Sequence, residues 1–207
     1  MNTIFIEAEK PDTAEHYFLT ALMAKYFPGA EYELIHMRGV ANLFNETNLN
    51  LLRSKTAEGS QCMAILDADT VAKGWGSAKR RAEVEDNQRA TGVHFPFFLY
   101  PDNGNDGDVE HLMESLARHD LHPTFFNCFR QYEMCVGGEL DEQGRQRYNT
   151  PDLKGKLHTY MSAQKLSNAQ RRRLGHGDWL FDDLSFWDLG RPTVQPLVAF
   201  LKANLKQ

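Results

Sequence analysis

The chain has 207 residues, of which 42% are hydrophobic and 25% charged, with a formal net charge of -5. This size supports a buried core without disulfides, and the acidic balance argues against a protein that coats nucleic acid by bulk electrostatics. No apolar run approaches the roughly 20 residues of a membrane span, and the start lacks the features of a secretory signal. The three cysteines form no CxxC pair. We therefore expect a cytoplasmic protein with reduced thiols and no membrane partner.

The N-terminal part alternates apolar, β-rich runs with helical segments. The predicted strands are Thr3 to Ile6, Tyr32 to Met37, Cys62 to Leu66 and Phe95 to Tyr100. The predicted helices run from about Asp12 to Tyr26, from Asn42 to Lys55, from Ser77 to Ala90 and from Val109 to His119. This βαβαβαβα order predicts an α/β, Rossmann-like fold with a mostly parallel four-stranded sheet and helices on both faces.

The first helix carries the clearest local signals. Asp12 is expected to cap it, with Glu15 three residues later completing a capping box. The inward face is expected to hold four apolar residues, namely Phe18, Leu19, Leu22 and Met23.

Beyond the fourth helix the patterns are weaker. Thr124 to Val136 fits either a strand or a helix, and Gly137 to Asn149 is expected to be an exposed loop. Asp152 to about Gln164 and Pro196 to Leu205 are expected to be helical. We therefore expect an α/β core at residues 1–122 with an extension at residues 123–207 packed on it, or one single domain that contains both.

Three carboxylates follow the ends of two predicted strands. Glu7 closes the first strand, and Asp67 and Asp69 close the third. In an open α/β sheet, ligands bind beyond the carboxyl ends of the strands, and oxygen ligands suit a hard cation such as Mg²⁺ or Mn²⁺. An ion held there would neutralise charge on a phosphodiester and activate water, while a glutamate from a neighbouring strand end acts as ligand or general acid/base. The pattern therefore predicts metal-assisted phosphoryl transfer.

The same residues resemble the Toprim domain of topoisomerases, bacterial primases and overcoming-lysogenization-defect nucleases. That domain has a Glu after its first strand and an Asp-x-Asp after its third. The matching segments are Ile4-Phe5-Ile6-Glu7-Ala8-Glu9, Ile65-Leu66-Asp67-Ala68-Asp69 and the glycine turn in His36-Met37-Arg38-Gly39-Val40-Ala41-Asn42-Leu43. The resemblance covers about Asn2 to His119 and implies that Asp67 and Asp69 bind the metal while Glu7 is the catalytic ligand or general acid/base.

A closer resemblance is to an uncharacterised family of small stand-alone Toprim-like proteins. The segments that carry it are Phe98 to Asn103, Gly107 to Glu110, Lys156 to Tyr160 and Trp187-Asp188. This resemblance implies that Glu110 is an additional acidic residue of the site. Ala8 stands where Toprim domains usually have Gly, and the next acidic residue, Asp12, comes about one position late, so an inert or altered site is also open.

Each of these residues has a structural alternative. Glu7 can cap a helix or pair with a lysine, the two aspartates can be loop formers, and Glu110 can complement a helix dipole. Arg38, Lys79 and Arg80 are candidates for positioning phosphate, although short basic runs are usually solvated helix faces. Neither the P-loop motif nor the dinucleotide-binding glycine motif is present in the sequence.

Two functions follow from this pattern. The first is a Mg²⁺- or Mn²⁺-dependent phosphodiester hydrolase, a nuclease acting on DNA or RNA. The second is a catalytically inert Toprim-like protein that binds a nucleotide, a metal or a partner protein. The oligomeric state is open from the sequence.

Overall fold

Four strands form one parallel sheet at the centre of the molecule. The computed structural model describes residues 1–206. Its strands are β1 (Asn2–Ile6), β2 (Tyr32–His36), β3 (Gln61–Asp67) and β4 (Phe97–Tyr100). They lie in the order β2-β1-β3-β4, and every neighbouring pair is parallel. Because β1 and β3 are adjacent, the residues that follow them emerge side by side at the same edge of the sheet.

Helices follow the strands in the predicted order and continue to the end of the described chain. They are α1 (Ala14–Tyr26), α2 (Glu46–Ala57), α3 (Ser77–Thr91), α4 (Val109–Leu116), α5 (Pro123–Gly137), α6 (Leu153–Ser162), α7 (Asn168–Gly175) and α8 (Gln195–Asn204). The segment Thr124 to Val136, for which the sequence allowed a strand or a helix, forms helix α5. Pro123 is the first residue of this helix, and its two buried residues, Phe126 and Phe129, are three positions apart. That spacing gives a helix an inward face. No helix within residues 1–206 has both the length and the apolar character needed to cross a bilayer.

The sheet is covered on both faces, which confirms the α/β prediction. Successive strand residues point to opposite faces, so the four strands supply two separate apolar cores. One face packs against α1, α4 and the C-terminal helices through Ile4, Ile6, Met63, Ile65, Phe98 and Tyr100. The other packs against α2 and α3 through Phe5, Ala64, Leu66 and Leu99. Burial on both faces explains why the strands are continuous apolar runs rather than alternating ones.

The start of α1 differs from the prediction. Thr13, not Asp12, is the N-cap, and its hydroxyl accepts a hydrogen bond from the backbone N–H of His16. Glu15 does not close a capping box but reaches back to the β1–α1 loop, where its Oε2 accepts from the backbone N–H of Ala8 at 2.9 Å. The prediction of Asp12 as cap was wrong because the helix begins one residue later than expected. The four predicted inward residues are buried, which confirms that face of the helix.

The C-terminal extension packs on the same face of the sheet as α1 and α4. Its residues join the core of that face, and Trp187 is fully buried, with its Nε1–H donating to the carbonyl of Trp179 at 2.6 Å. The backbone N–H of Lys206 donates to Oδ1 of Asn2 at 2.7 Å, so the end of the described chain is tied to β1. This packing brings the start of α6 to the carboxyl ends of the strands.

Candidate active site

Glu7 and Asp67 form the centre of the site. Glu7 follows the last residue of β1, and Asp67 ends the neighbouring strand β3. Oε1 of Glu7 accepts a hydrogen bond from the backbone N–H of Asp67 at 2.7 Å, and Oδ1 of Asp67 accepts from the backbone N–H of Val109 at 2.9 Å. Backbone donors therefore orient both carboxylates, which lie at the ends of their strands.

Three more acidic residues, including the exposed Glu9, join this pair around a cavity of about 320 Å³. Glu15 comes from the first turn of α1 and Glu110 from the first turn of α4. The lining residues are Glu7, Ala8, Glu9, Thr13, Ala14, Glu15, Asp67, Val109, Glu110 and Lys154. The cavity thus brings together acids from four separate elements at the carboxyl edge of the sheet, which is where open α/β proteins bind ligands.

The cluster is hard to ionise completely. Burial raises the pKa of Glu7 to about 7, although the N–H of Asp67 and the charge of Arg80 oppose the shift. Burial and the charge of Glu7 raise the pKa of Glu15 to about 8. Burial, followed by the charges of Glu7 and Glu15, also raises the pKa of Asp67. Near neutral pH the cluster therefore retains protons, and a cation in the cavity would favour the ionised carboxylates.

Asp69 does not line this cavity. Its backbone adopts a left-handed φ of 57°, and its side chain makes ion pairs with Arg80 at 2.8 Å and Lys73 at 3.3 Å. Arg80 is buried, lies 3.9 Å from the centroid of the Trp75 ring and also pairs with Glu83. The structure thus brings Glu7, Asp67 and Glu110 together and turns the second aspartate of the Asp-x-Asp motif toward α3.

The predicted phosphate-positioning residues lie outside the cavity as well. The Nζ of Lys79 donates to the carbonyl of Gly74 at 2.6 Å, and Arg80 has the buried contacts just described. Arg38 has a left-handed φ of 62°, and its backbone N–H donates to the carbonyl of Ala8 at 3.2 Å. Arg38 therefore connects the loops that follow β2 and β1 through its backbone. The assignment of these three side chains to phosphate stays a prediction.

Sequence reasoning missed two residues of the site, Glu15 and Lys154. Glu15 was interpreted only as part of a helix cap, although an acidic residue in the first turn after β1 lies near the carboxyl edge in a βα unit. Lys154 comes from α6 in the C-terminal extension, and no local pattern connects it to the strand ends. It also lines a second cavity of about 500 Å³, which shares Asp67 and Glu110 with the first.

The chemistry of the acidic cavity fits a hard divalent cation, since its candidate ligands are carboxylate oxygens. Within residues 1–206, no three His, Cys, Asp or Glu side chains form a ready-made metal cluster. The assignment of Mg²⁺ or Mn²⁺ to this cavity stays a prediction.

Fold and site together define an α/β protein with a parallel sheet and an acidic cavity beyond the ends of β1 and β3. The chain belongs to the family described as "Protein of unknown function (DUF3226)", whose model matches residues 13–206. The match begins after Glu7 and includes Glu15, Asp67, Glu110 and Lys154. Neither the curated proteins nor the solved structures contain a match to this chain.

Proposed function

We propose that this protein is a Toprim-like, Mg²⁺- or Mn²⁺-dependent phosphoryl-transfer enzyme, a nuclease acting on DNA or RNA phosphodiesters. The observation that carries the proposal is the pairing of Glu7 with Asp67. These carboxylates come from the ends of adjacent parallel strands and line one acidic cavity, and Oε1 of Glu7 accepts a 2.7 Å hydrogen bond from the backbone N–H of Asp67. A strand-end Glu beside the first Asp of an Asp-x-Asp motif is the arrangement that the Toprim resemblance implies.

The residues of the cavity have distinct roles in this proposal. Asp67 holds the ion, with Glu110 as an additional acidic ligand, and the bound ion supplies charge neutralisation and a more acidic water. Glu7 accepts or donates the proton, because a pKa of about 7 suits a group that must do both near neutral pH. Asp69 is the weaker candidate ligand, since both of its carboxylate oxygens are already paired, one with Arg80 and one with Lys73.

A second candidate function is binding without turnover. In this case the protein is a Toprim-like module for a nucleotide, a metal or a partner protein. The ion pairs of Asp69 favour this alternative, and so does the backbone N–H of Ala8, which donates to Glu15 rather than facing a phosphate.

The test is a cleavage assay with single- and double-stranded DNA and RNA, each with Mg²⁺, with Mn²⁺ and with a chelator. The variants are Glu7→Gln and Asp67→Asn, which remove charge but keep side-chain size and an acceptor oxygen. The matched control is Glu142→Gln, at an exposed position in the loop after α5. We expect metal-dependent cleavage by the wild type and the control. Both site variants should lose it by at least about 100-fold, in line with the contribution of a positioned general acid or base.

Cleavage that survives in both site variants would refute the assignment of the active site. If no substrate is cleaved by the wild type, and a nucleotide or oligonucleotide binds equally well with the chelator, the second candidate is favoured. Mn²⁺ binding measured by calorimetry tests the cation site itself, and the cleavage assay distinguishes an enzyme from a module that only binds metal. A catalytic cation site predicts that Asp67→Asn weakens Mn²⁺ binding while Glu142→Gln does not.

A further inference from the structure

Lys154 occupies an unusual position between the two cavities. It lies in the first turn of α6, and its side chain lines both the acidic cavity and the second one. It is the one cationic side chain among the described residues that line the acidic cavity. A residue of the C-terminal extension therefore brings a positive charge to the strand ends of the α/β core.

Helix stability does not explain why a lysine stands at position 154. The first turn of a helix is the positive end of its dipole, so a cation there is unfavourable and an acid is preferred. The N-cap of α6 is Asp152, which accepts from the backbone N–H of Gly155 at 2.8 Å, so the cap needs no help from Lys154. A residue that breaks a local preference without a local gain is typical of a functional position.

The ion pairing of Lys154 does not explain it either. Its ammonium is 3.8 Å from Oε1 of Glu110, and the side chain is 67% exposed. An exposed pair at this distance contributes little to stability. The buried Arg80, in contrast, makes contacts of 2.8 and 2.6 Å with Asp69 and Glu83. The Lys154 ammonium is thus free to contact a ligand without breaking a strong ion pair.

The second cavity is lined by more lysines than the acidic cavity. The acidic cavity is lined by carboxylates and one lysine. The second cavity shares Asp67, Glu110 and Lys154 with it and is also lined by Lys73, His111, Asp108 and Asp152. Lys73 is about half exposed, and its ammonium pairs with Asp69 at 3.3 Å and with Asp108 at 3.2 Å. The second cavity thus places two lysine ammonium groups, those of Lys73 and Lys154, next to the acidic cavity.

We propose that Lys154, which lines the second cavity together with Lys73, binds a phosphate group of the substrate next to the acidic cavity. The C-terminal extension then supplies the phosphate contact of the site. This inference rests on the proposed function, because it takes a phosphodiester as the ligand. It assigns the contact to lysines of the second cavity rather than to Arg38, Lys79 or Arg80. It also gives the extension a direct part in binding.

The test measures binding of a fluorescein-labelled single-stranded oligothymidylate by anisotropy, with Ca²⁺ replacing Mg²⁺ and over a series of salt concentrations. The variants are Lys154→Ala and Lys154→Arg, with Lys165→Ala as a matched control at an exposed position after α6. Loss of one charged contact should weaken binding of Lys154→Ala about 10-fold. It should also reduce the slope of log K against log salt by about 0.7, the value for one phosphate on a single strand. Lys154→Arg should keep the wild-type slope.

Wild-type affinity and slope in Lys154→Ala would overturn the inference, and so would equal losses in Lys154→Arg and Lys154→Ala. A wild type that binds Mn²⁺ but not the oligonucleotide also overturns it and leaves the proposed cation site standing. Binding that depends on Lys154 but is unchanged by a chelator supports the phosphate contact and contradicts the metal requirement of the proposed function. The two proposals can therefore fail separately.

Discussion

Replacement of Glu15 by Gln should remove a large part of the pH dependence of stability. Glu15 is buried, and its pKa rises from its ordinary value of 4.5 to about 8. In the unfolded chain this carboxyl ionises near the lower value, whereas in the folded protein it keeps its proton up to the higher one. The stability that Glu15 contributes is therefore fully present below about pH 4.5 and is lost as the pH rises through about 8.

The size of this effect follows from the two pKa values. A rise in the pKa of Glu15 from 4.5 to about 8 changes its contribution to the free energy of unfolding by about 5 kcal/mol, because each pKa unit corresponds to 1.36 kcal/mol. Glutamine does not titrate and retains an acceptor oxygen for the N–H of Ala8. Glu15→Gln should therefore become more stable than the wild type as the pH rises, approaching a difference of about 5 kcal/mol at the alkaline end.

The assay is urea unfolding of both proteins from mildly acidic to mildly alkaline pH, without divalent cations. Glu142→Gln is the control, and its stability should follow that of the wild type at every pH. The decisive quantity is the difference in the free energy of unfolding between Glu15→Gln and the wild type. If that difference is the same at all pH values, Glu15 does not titrate as a buried member of the cluster, and the description of the acidic cavity is wrong.

Two further predictions concern the surroundings of the cluster. Arg80→Met should destabilise the protein by about 3 kcal/mol, because it leaves Asp69 and Glu83 without their buried cation; unchanged urea unfolding would contradict this. Tyr100→Phe should raise the free energy of unfolding by about 1 kcal/mol, since the buried hydroxyl has no hydrogen-bond partner within residues 1–206. A clear loss of stability in Tyr100→Phe would mean instead that the hydroxyl has a partner in solution.

The sheet could be predicted because its strands are buried on both faces. Continuous apolar runs such as Ile4 to Ile6 and Met63 to Leu66 are typical of parallel strands. The helical segments between these runs favour a parallel sheet covered by helices over other fold classes. The meeting of Glu7 and Asp67 follows from the same pattern. Their strands had to be neighbours for the two carboxylates to meet, and β1 pairs with β3 in the structure.

The remainder of the site depends on tertiary contacts that no local pattern contains. A Glu three residues after a candidate N-cap can accept a hydrogen bond either from the N-cap residue or from another loop. Glu15 accepts from the backbone N–H of Ala8, because the β1–α1 loop passes its side chain. Asp69 and Asp67 are two residues apart, yet the left-handed backbone at Asp69 directs its carboxylate to Arg80 on α3. Lys154 reaches the site only because the extension docks beside α4.

The clustering of carboxylates in the acidic cavity is unfavourable for folding. Burying several carboxylates together opposes their ionisation, and this cost is visible in the raised pKa values of Glu7, Glu15 and Asp67. Apolar residues at the same positions would avoid the cost and extend the core that lies directly beneath. Under the proposed function a divalent cation would reverse this balance, because it would favour the ionised carboxylates and add its binding free energy to the folded state. The raised pKa values of the clustered carboxylates therefore support the proposed cation site.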